Sequence, residues 1–67
     1  MQNEYLPWQQ RVIEEKVELE AKLDALQDFL DTRGDELPFI QYNLLCKQLN
    51  AMADYLDILC KRIKAFG

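Results

Sequence analysis

The chain has 67 residues, 49% of them hydrophobic, and carries a formal net charge of -4 with a pI near 4.6. This acidity argues against a general nucleic-acid-binding protein, because such proteins need a surface rich in Lys and Arg. A domain of this size gains little net stability from its own core, so we expect an additional source of burial or cross-linking.

The cysteines and the lack of His narrow the choice of that additional source. Cys46 and Cys60 lie on one predicted helix about 21 Å apart along its axis, which is too far for a disulfide. With no His and no CxxC pair, we predict no metal site and no cofactor. Self-association therefore remains as the additional source of burial.

Free thiols and the lack of a signal peptide or long apolar run predict a cytoplasmic protein without a membrane span.

The first predicted helix covers residues of about 7–32. Leu6 precedes a proline and is therefore pushed away from helical angles, and Pro7 suits the first helical position. Within the helix, Arg11 and Glu15 are spaced to form an i,i+4 ion pair. The helix is apolar on two faces. Its main stripe is Trp8, Val12, Leu19, Leu23, Leu26 and Leu30, and its weaker stripe is Ile13, Val17, Ala21 and Ala25.

A loop is predicted at residues 33–37, where the apolar periodicity stops. Gly34 is expected to end the first helix in a left-handed conformation, as glycines often do after a helix. Either Asp35 or Leu37 is expected to be the N-cap of the second helix, because Pro38 is tolerated throughout a first turn.

The second predicted helix covers residues of about 38–66 and also has two apolar stripes. Its main seam is Tyr42, Leu45, Leu49, Met52, Leu56, Leu59, Ile63 and Phe66. Its second stripe, about 100° round the axis, is Ile40, Leu44, Ala51, Tyr55 and Ile58.

The short loop predicts an all-α, single-domain chain over residues 1–67, folded as a two-helix antiparallel hairpin. One partner helix cannot cover both stripes of its neighbour. We therefore predict that the hairpin self-associates into a helical bundle, at least a dimer that forms a four-helix bundle, with the second stripe at the subunit contact.

The inventory of side chains disfavours an enzyme. With no Ser and no His, serine triads and cysteine-histidine pairs cannot be built, and two glycines make no phosphate-binding loop. The chemically suggestive group is a basic and aromatic end, where cations would hold a phosphate and rings would stack on a base. The candidate ligand-binding residues are Tyr5, Trp8, Arg11, Lys16, Lys61 and Arg62.

A simpler interpretation of these residues stays open. The cations Lys61, Arg62 and Lys64 offset the negative end of the helix dipole and keep the surface soluble, with no ligand involved.

Two runs of residues, one on each predicted helix, form a recognisable pattern. The first run is Trp8, Gln9, Gln10, Arg11 and Val12, followed by Glu15, Lys16, Leu19, Lys22, Leu23 and Phe29. The second is Leu44, Leu45, Gln48, Leu49, Met52, Tyr55, Leu59, Arg62, Ile63 and Phe66. Together they resemble a group of small phage and prophage helical-hairpin proteins known as crAss-phage related. The resemblance implies a phage-encoded, non-enzymatic protein that acts against the host.

Two functions are compatible with these observations. In the first, the oligomer brings its basic ends together and sequesters an anionic cyclic-nucleotide immune signal, as other phage proteins built on helical hairpins do. In the second, the acidic surface of the first helix binds and blocks a host or defence protein.

Overall fold

The computed structural model describes residues 5–66 and shows two long helices joined by a short turn. Helix α1 spans Pro7–Arg33, a 3₁₀ turn spans Gly34–Glu36, and helix α2 spans Phe39–Lys64. The helices pack against each other along their length, so the predicted all-α antiparallel hairpin is confirmed. Residues 1–4 and Gly67, which the single-domain prediction includes, lie outside the described residues.

The start of α1 follows from its proline. Leu6 is extended, with φ -67° and ψ 156°, because the following proline ring disfavours helical angles there. The Leu6 N–H donates to the side-chain oxygen of Gln9 at 2.8 Å, which satisfies a backbone donor that the helix leaves unpaired. Helix α1 therefore has a defined beginning although its N-cap residue has no polar side chain.

Gly34 does not adopt the left-handed conformation expected from the sequence. Its φ is -60° and its ψ is -32°, which any residue adopts, and its N–H bonds to the Leu30 carbonyl. A Cβ at this position would lie 2.8 Å from Cε2 of Tyr42, closer than such atoms normally come. The glycine therefore serves the close packing of the Tyr42 ring against the turn, not the backbone angle.

The N-cap of α2 is Pro38, and neither Asp35 nor Leu37 takes that role. Leu37 is extended, as expected before a proline, and its N–H donates to the Gly34 carbonyl at 3.1 Å. The Pro38 carbonyl then accepts the first helical hydrogen bond, from the N–H of Tyr42 at 3.0 Å. The fixed proline geometry defines this helix start without a polar cap.

The core of the hairpin is narrow and lies between the main stripes of the two helices. Within residues 5–66, the buried apolar side chains are Val12, Leu19, Leu30 and Leu59, and Leu59 is fully covered. The half-buried Met52, Leu56, Ile63 and Phe66 pack around the cluster of Val12, Leu19 and Leu59. The seam of α2 predicted from its spacing is therefore the face that meets α1 in this region.

The second stripe of α2 is left uncovered by the hairpin. Ile40 is 70% exposed and Leu44, Ala51, Tyr55 and Ile58 are also exposed. The chain is a rod of 47 × 21 × 14 Å, and its radius of gyration of 15.3 Å exceeds the roughly 11 Å of a compact chain of this length. Each of the two helices, α1 and α2, thus contributes one face to the core. Within residues 5–66, no helix is long and apolar enough to cross a membrane.

Candidate functional site

The end of the hairpin opposite the turn is here called the open end. Three aromatic rings pack together there and form the aromatic cluster: Tyr5, Trp8 and Phe66. The chain turns after α2, where the Ala65 N–H bonds to the Lys61 and Arg62 carbonyls and the Phe66 N–H to the Ile63 carbonyl. This turn directs Phe66 toward the start of α1. Its ring meets Trp8 with centroids 5.4 Å apart and Tyr5 with centroids 6.1 Å apart, both edge to face.

Beside the aromatic cluster lies a groove of about 350 Å³, here called the open-end groove. Its size falls within the range of small-molecule sites. Its lining is mostly apolar, and the basic residues that contribute to it are Lys16 and Lys64. The lining residues are Tyr5, Ile13, Lys16, Val17, Cys60, Ile63 and Lys64.

The two lysines of the open-end groove differ in their partners. Lys16 Nζ lies 3.4 Å from Glu20 Oε1, one helical turn further along α1. Lys64 forms no ion pair with any other residue of the described range 5–66. An incoming anion would therefore find one available cation and would compete with Glu20 for the second.

The six predicted ligand-binding residues fall into separate places. Tyr5 and Lys16 line the open-end groove, whereas Trp8 contributes to the aromatic cluster. Lys61 lies outside the groove lining and pairs with Asp57 at 2.9 Å, a contact that raises the pKa of the Lys61 ammonium. Arg11 and Arg62 are exposed and are not part of the groove lining.

The expected ion pair between Arg11 and Glu15 is absent from the described part of the chain. Its ion pairs are instead Lys16 with Glu20, Arg33 with Glu36 and Lys61 with Asp57. Both Arg11 and Arg62 are surface residues in a single copy, so neither is a buried charge that needs an internal carboxylate.

The site includes residues that sequence reasoning did not assign to it. Lys64 was expected only to offset the helix dipole and keep the surface soluble, and Cys60 was not among the candidate ligand-binding residues, yet both line the groove. Ile13 and Val17 from the weaker stripe of α1 form part of its floor. The spacing of Cys60 and Lys64, one turn apart on one face of α2, was the available signal.

A second groove, of about 500 Å³, lies at the turn and has the opposite charge. Its acidic residues are Asp31 and Asp35, and its wall includes the Tyr42 ring. Arg33, the last residue of α1, is next to the turn and is paired with Glu36 at 2.9 Å. Although this groove is larger, its carboxylates repel anions, so an anionic ligand fits the open-end groove better.

Potential metal ligands are dispersed along the hairpin. Over the residues that the structure describes, no group of three or more Cys, Asp or Glu side chains is arranged to hold a metal ion.

These features define a small all-α hairpin with an apolar groove flanked by cations. The chain belongs to the Sequestin family, whose sequence profile matches residues 6–65 and so covers both helices and the turn. No curated protein and no solved structure shows significant similarity to this chain.

Proposed function

We propose that this protein is a small phage or prophage anti-defence protein that sequesters an anionic cyclic-nucleotide immune signal. It acts without catalysis, as a homo-oligomer in the cytoplasm of the host cell. The name of its family, Sequestin, supports sequestration of a small signal molecule. The nucleotide class and the phage origin rest on the resemblance and on the chemistry of the open-end groove.

The observation that carries this proposal is that Lys16, Lys64 and Tyr5 line the same largely apolar groove. Ammonium groups attract phosphate oxygens, and an aromatic ring offers a face on which a base stacks. The apolar floor of Ile13 and Val17 covers the ligand surface that carries no charge. These are the two requirements of a nucleotide ligand.

Sequestration needs affinity and abundance but no reaction. A dissociation constant of about 1 µM corresponds to roughly -8 kcal/mol, which a few charge-assisted contacts and one stacked base can supply. A chain without Ser or His is suited to hold a nucleotide intact.

Self-association is supported by the exposed apolar surface of α2. Ile40, Leu44 and Ile58 are each more than half exposed, which is unusual for three aliphatic side chains on one helix of a stable monomer. The narrow core also supports self-association, because a chain with few buried side chains gains stability when a second copy covers its exposed apolar surface.

A thermal-shift screen with cyclic dinucleotides and cyclic trinucleotides tests the ligand. A nucleotide at one hundred times its dissociation constant should stabilise the protein by about 2.7 kcal/mol and raise its melting temperature. Lys64→Ala and Lys16→Ala should weaken or abolish that shift. Lys22→Ala is the matched control, because Lys22 is exposed on α1 and does not line the groove.

A negative result in this screen would favour the second function, inhibition of a host or defence protein. If no nucleotide shifts the melting temperature, the sequestration proposal is wrong and the acidic surface of α1 becomes the candidate site. A protein inhibitor of that kind would bind a basic groove on a host or defence protein, with an association rate that falls as salt is added.

A further inference from the structure

Helix α2 carries an uncovered seam about 100° round its axis from the face that packs against α1. This outer seam consists of Leu44, Gln48, Ala51, Tyr55, Ile58 and Arg62. All six residues are exposed in a single copy. Their spacing alternates strictly between four and three, the pattern by which two helices pack knobs into holes. The outer seam therefore has the spacing of a helix-packing face although α1 does not cover it.

We infer that two copies of this chain associate through their outer seams with the two α2 helices antiparallel. The spacing of the outer seam is the same in both directions along the helix. In an antiparallel pair, Leu44 therefore lies opposite Arg62 of the second copy, and Ala51 lies opposite the second copy's Tyr55. Because the two copies are related by a two-fold axis, the contact between the large ring of Tyr55 and the small side chain of Ala51 occurs twice. The two contacts fill the space at the centre of the interface.

The charges of the chain select the antiparallel orientation. Lys61, Arg62 and Lys64 lie at the open end, whereas Asp35 and Glu36 lie at the turn. Antiparallel packing points the basic end of each copy toward the acidic turn of the other and keeps the two basic ends apart. Parallel packing would place Arg62 beside the second copy's Arg62 and the two acidic turns side by side, so like charges would meet at both ends.

The outer seam extends over a large part of the molecule. A standard interface removes about 800 Å² from each partner, roughly one-seventh of the 5369 Å² that one copy exposes. The outer seam runs about 27 Å from Leu44 to Arg62, more than half the 47 Å length of the molecule. Side chains beside the outer seam, such as Ile40, extend the apolar surface toward the turn.

The antiparallel dimer leaves both open-end grooves accessible. Cys60 and Lys64, which line the groove, lie roughly 160° round α2 from the outer seam. The two grooves then lie at opposite ends of the dimer, in contrast to the sequence-based expectation that the basic ends come together. Each chain would bind its own ligand. The dimer itself does not depend on the proposed function, because its contact excludes the groove.

Site-directed cross-linking tests the orientation. In a Cys46→Ala and Cys60→Ala background that circular dichroism shows to be helical, Leu44→Cys and Arg62→Cys chains are made separately. They are treated with a short thiol cross-linker alone and as a mixture, and the products are identified by mass. We expect the mixed product, because the two positions are opposite each other between copies but about 27 Å apart along one helix.

The control variant is Ala53→Cys. Ala53 is exposed on the side of α2 opposite the outer seam, so this variant should cross-link neither with itself nor with Arg62→Cys. Self-linked Leu44→Cys as the main product would show parallel packing and overturn the inference, as would equal cross-linking through Ala53→Cys. Light scattering of the unmodified protein should give twice the mass of one chain or a multiple of that dimer. A monomer would also overturn the inference.

Discussion

The ring of Phe66 meets the ring of Trp8 edge to face, with centroids 5.4 Å apart and planes inclined at 84°. This contact joins the first turn of α1 to the residues that follow α2, so it closes the end of the hairpin that has no loop. The same ring contacts Tyr5, which lines the open-end groove. Stability of the open end and shape of the groove therefore depend on one side chain.

Phe66→Ala should lower the free energy of unfolding by about 1 to 2 kcal/mol, less than the 3 to 5 kcal/mol of a fully buried phenylalanine because Phe66 is half-buried. Urea denaturation followed by circular dichroism measures the loss. Trp8 fluorescence should also change, since the tryptophan loses its ring partner. Phe39→Ala deletes the same atoms at an exposed position and should change stability by less than about 0.5 kcal/mol. Equal losses would mean that the aromatic cluster adds no stability.

Glu20→Gln should strengthen nucleotide binding, because it releases the groove residue Lys16 from its ion pair with Glu20. An exposed pair is worth up to about 1 kcal/mol, so the expected gain in affinity is about two- to fivefold, measured by titration calorimetry. Asp57→Asn is the matched control. It removes one negative charge and releases Lys61, which lies outside the groove lining. If both variants gain equally, net charge controls binding and the groove assignment is wrong.

Gly34→Ala should destabilise the hairpin by about 1 to 3 kcal/mol through steric overlap, because the new Cβ would lie 2.8 Å from the Tyr42 ring. Backbone strain makes no contribution, since φ is -60°. In a Tyr42→Ala background the overlap is gone, and Gly34→Ala should be neutral or stabilising by up to about 1 kcal/mol. A double-mutant cycle by urea denaturation measures this reversal of sign. The same loss in both backgrounds would contradict a steric cause.

The Tyr42 hydroxyl should titrate above the ordinary tyrosine pKa of about 10. Its hydrogen bond with the Cys46 thiol raises the pKa, and charge repulsion from Cys46, burial and Asp31 raise it further. The folded state then holds this proton more tightly than the unfolded state. The resulting stability is complete below pH 10 and is lost as pH rises through the folded-state pKa.

Ultraviolet absorbance of tyrosinate measures this pKa in a Tyr5→Phe and Tyr55→Phe chain, where Tyr42 is the remaining tyrosine. Cys46→Ala should bring the pKa down toward the ordinary value. Cys60→Ala, the same change at the open end of the hairpin, should leave it unchanged. An unchanged titration in the Cys46 variant would exclude the thiol as the cause.

The sequence by itself determined the helices, because local rules set them. The alternating spacing of the α2 seam marks the face on which Leu59 is buried, and the prolines at positions 7 and 38 mark where each helix begins. Spacing of this kind needs no knowledge of the partner helix. The exposed second stripe of α2 was also visible as a set of apolar residues that one neighbour could not cover.

The tertiary structure decided which side chains share a groove. Lys64 and Lys16 flank one groove although 48 positions separate them, whereas Arg62 faces another side of α2. Which of several cations faces a groove depends on the rotation of α2 about its axis against α1, and packing around Leu59 fixes that rotation. Gly34 is a second case in which the sequence alone did not show a tertiary contact. Its role is to leave space for the ring of Tyr42, eight residues away. Local propensity indicates backbone angles, but it does not indicate which side chain will pack against the glycine.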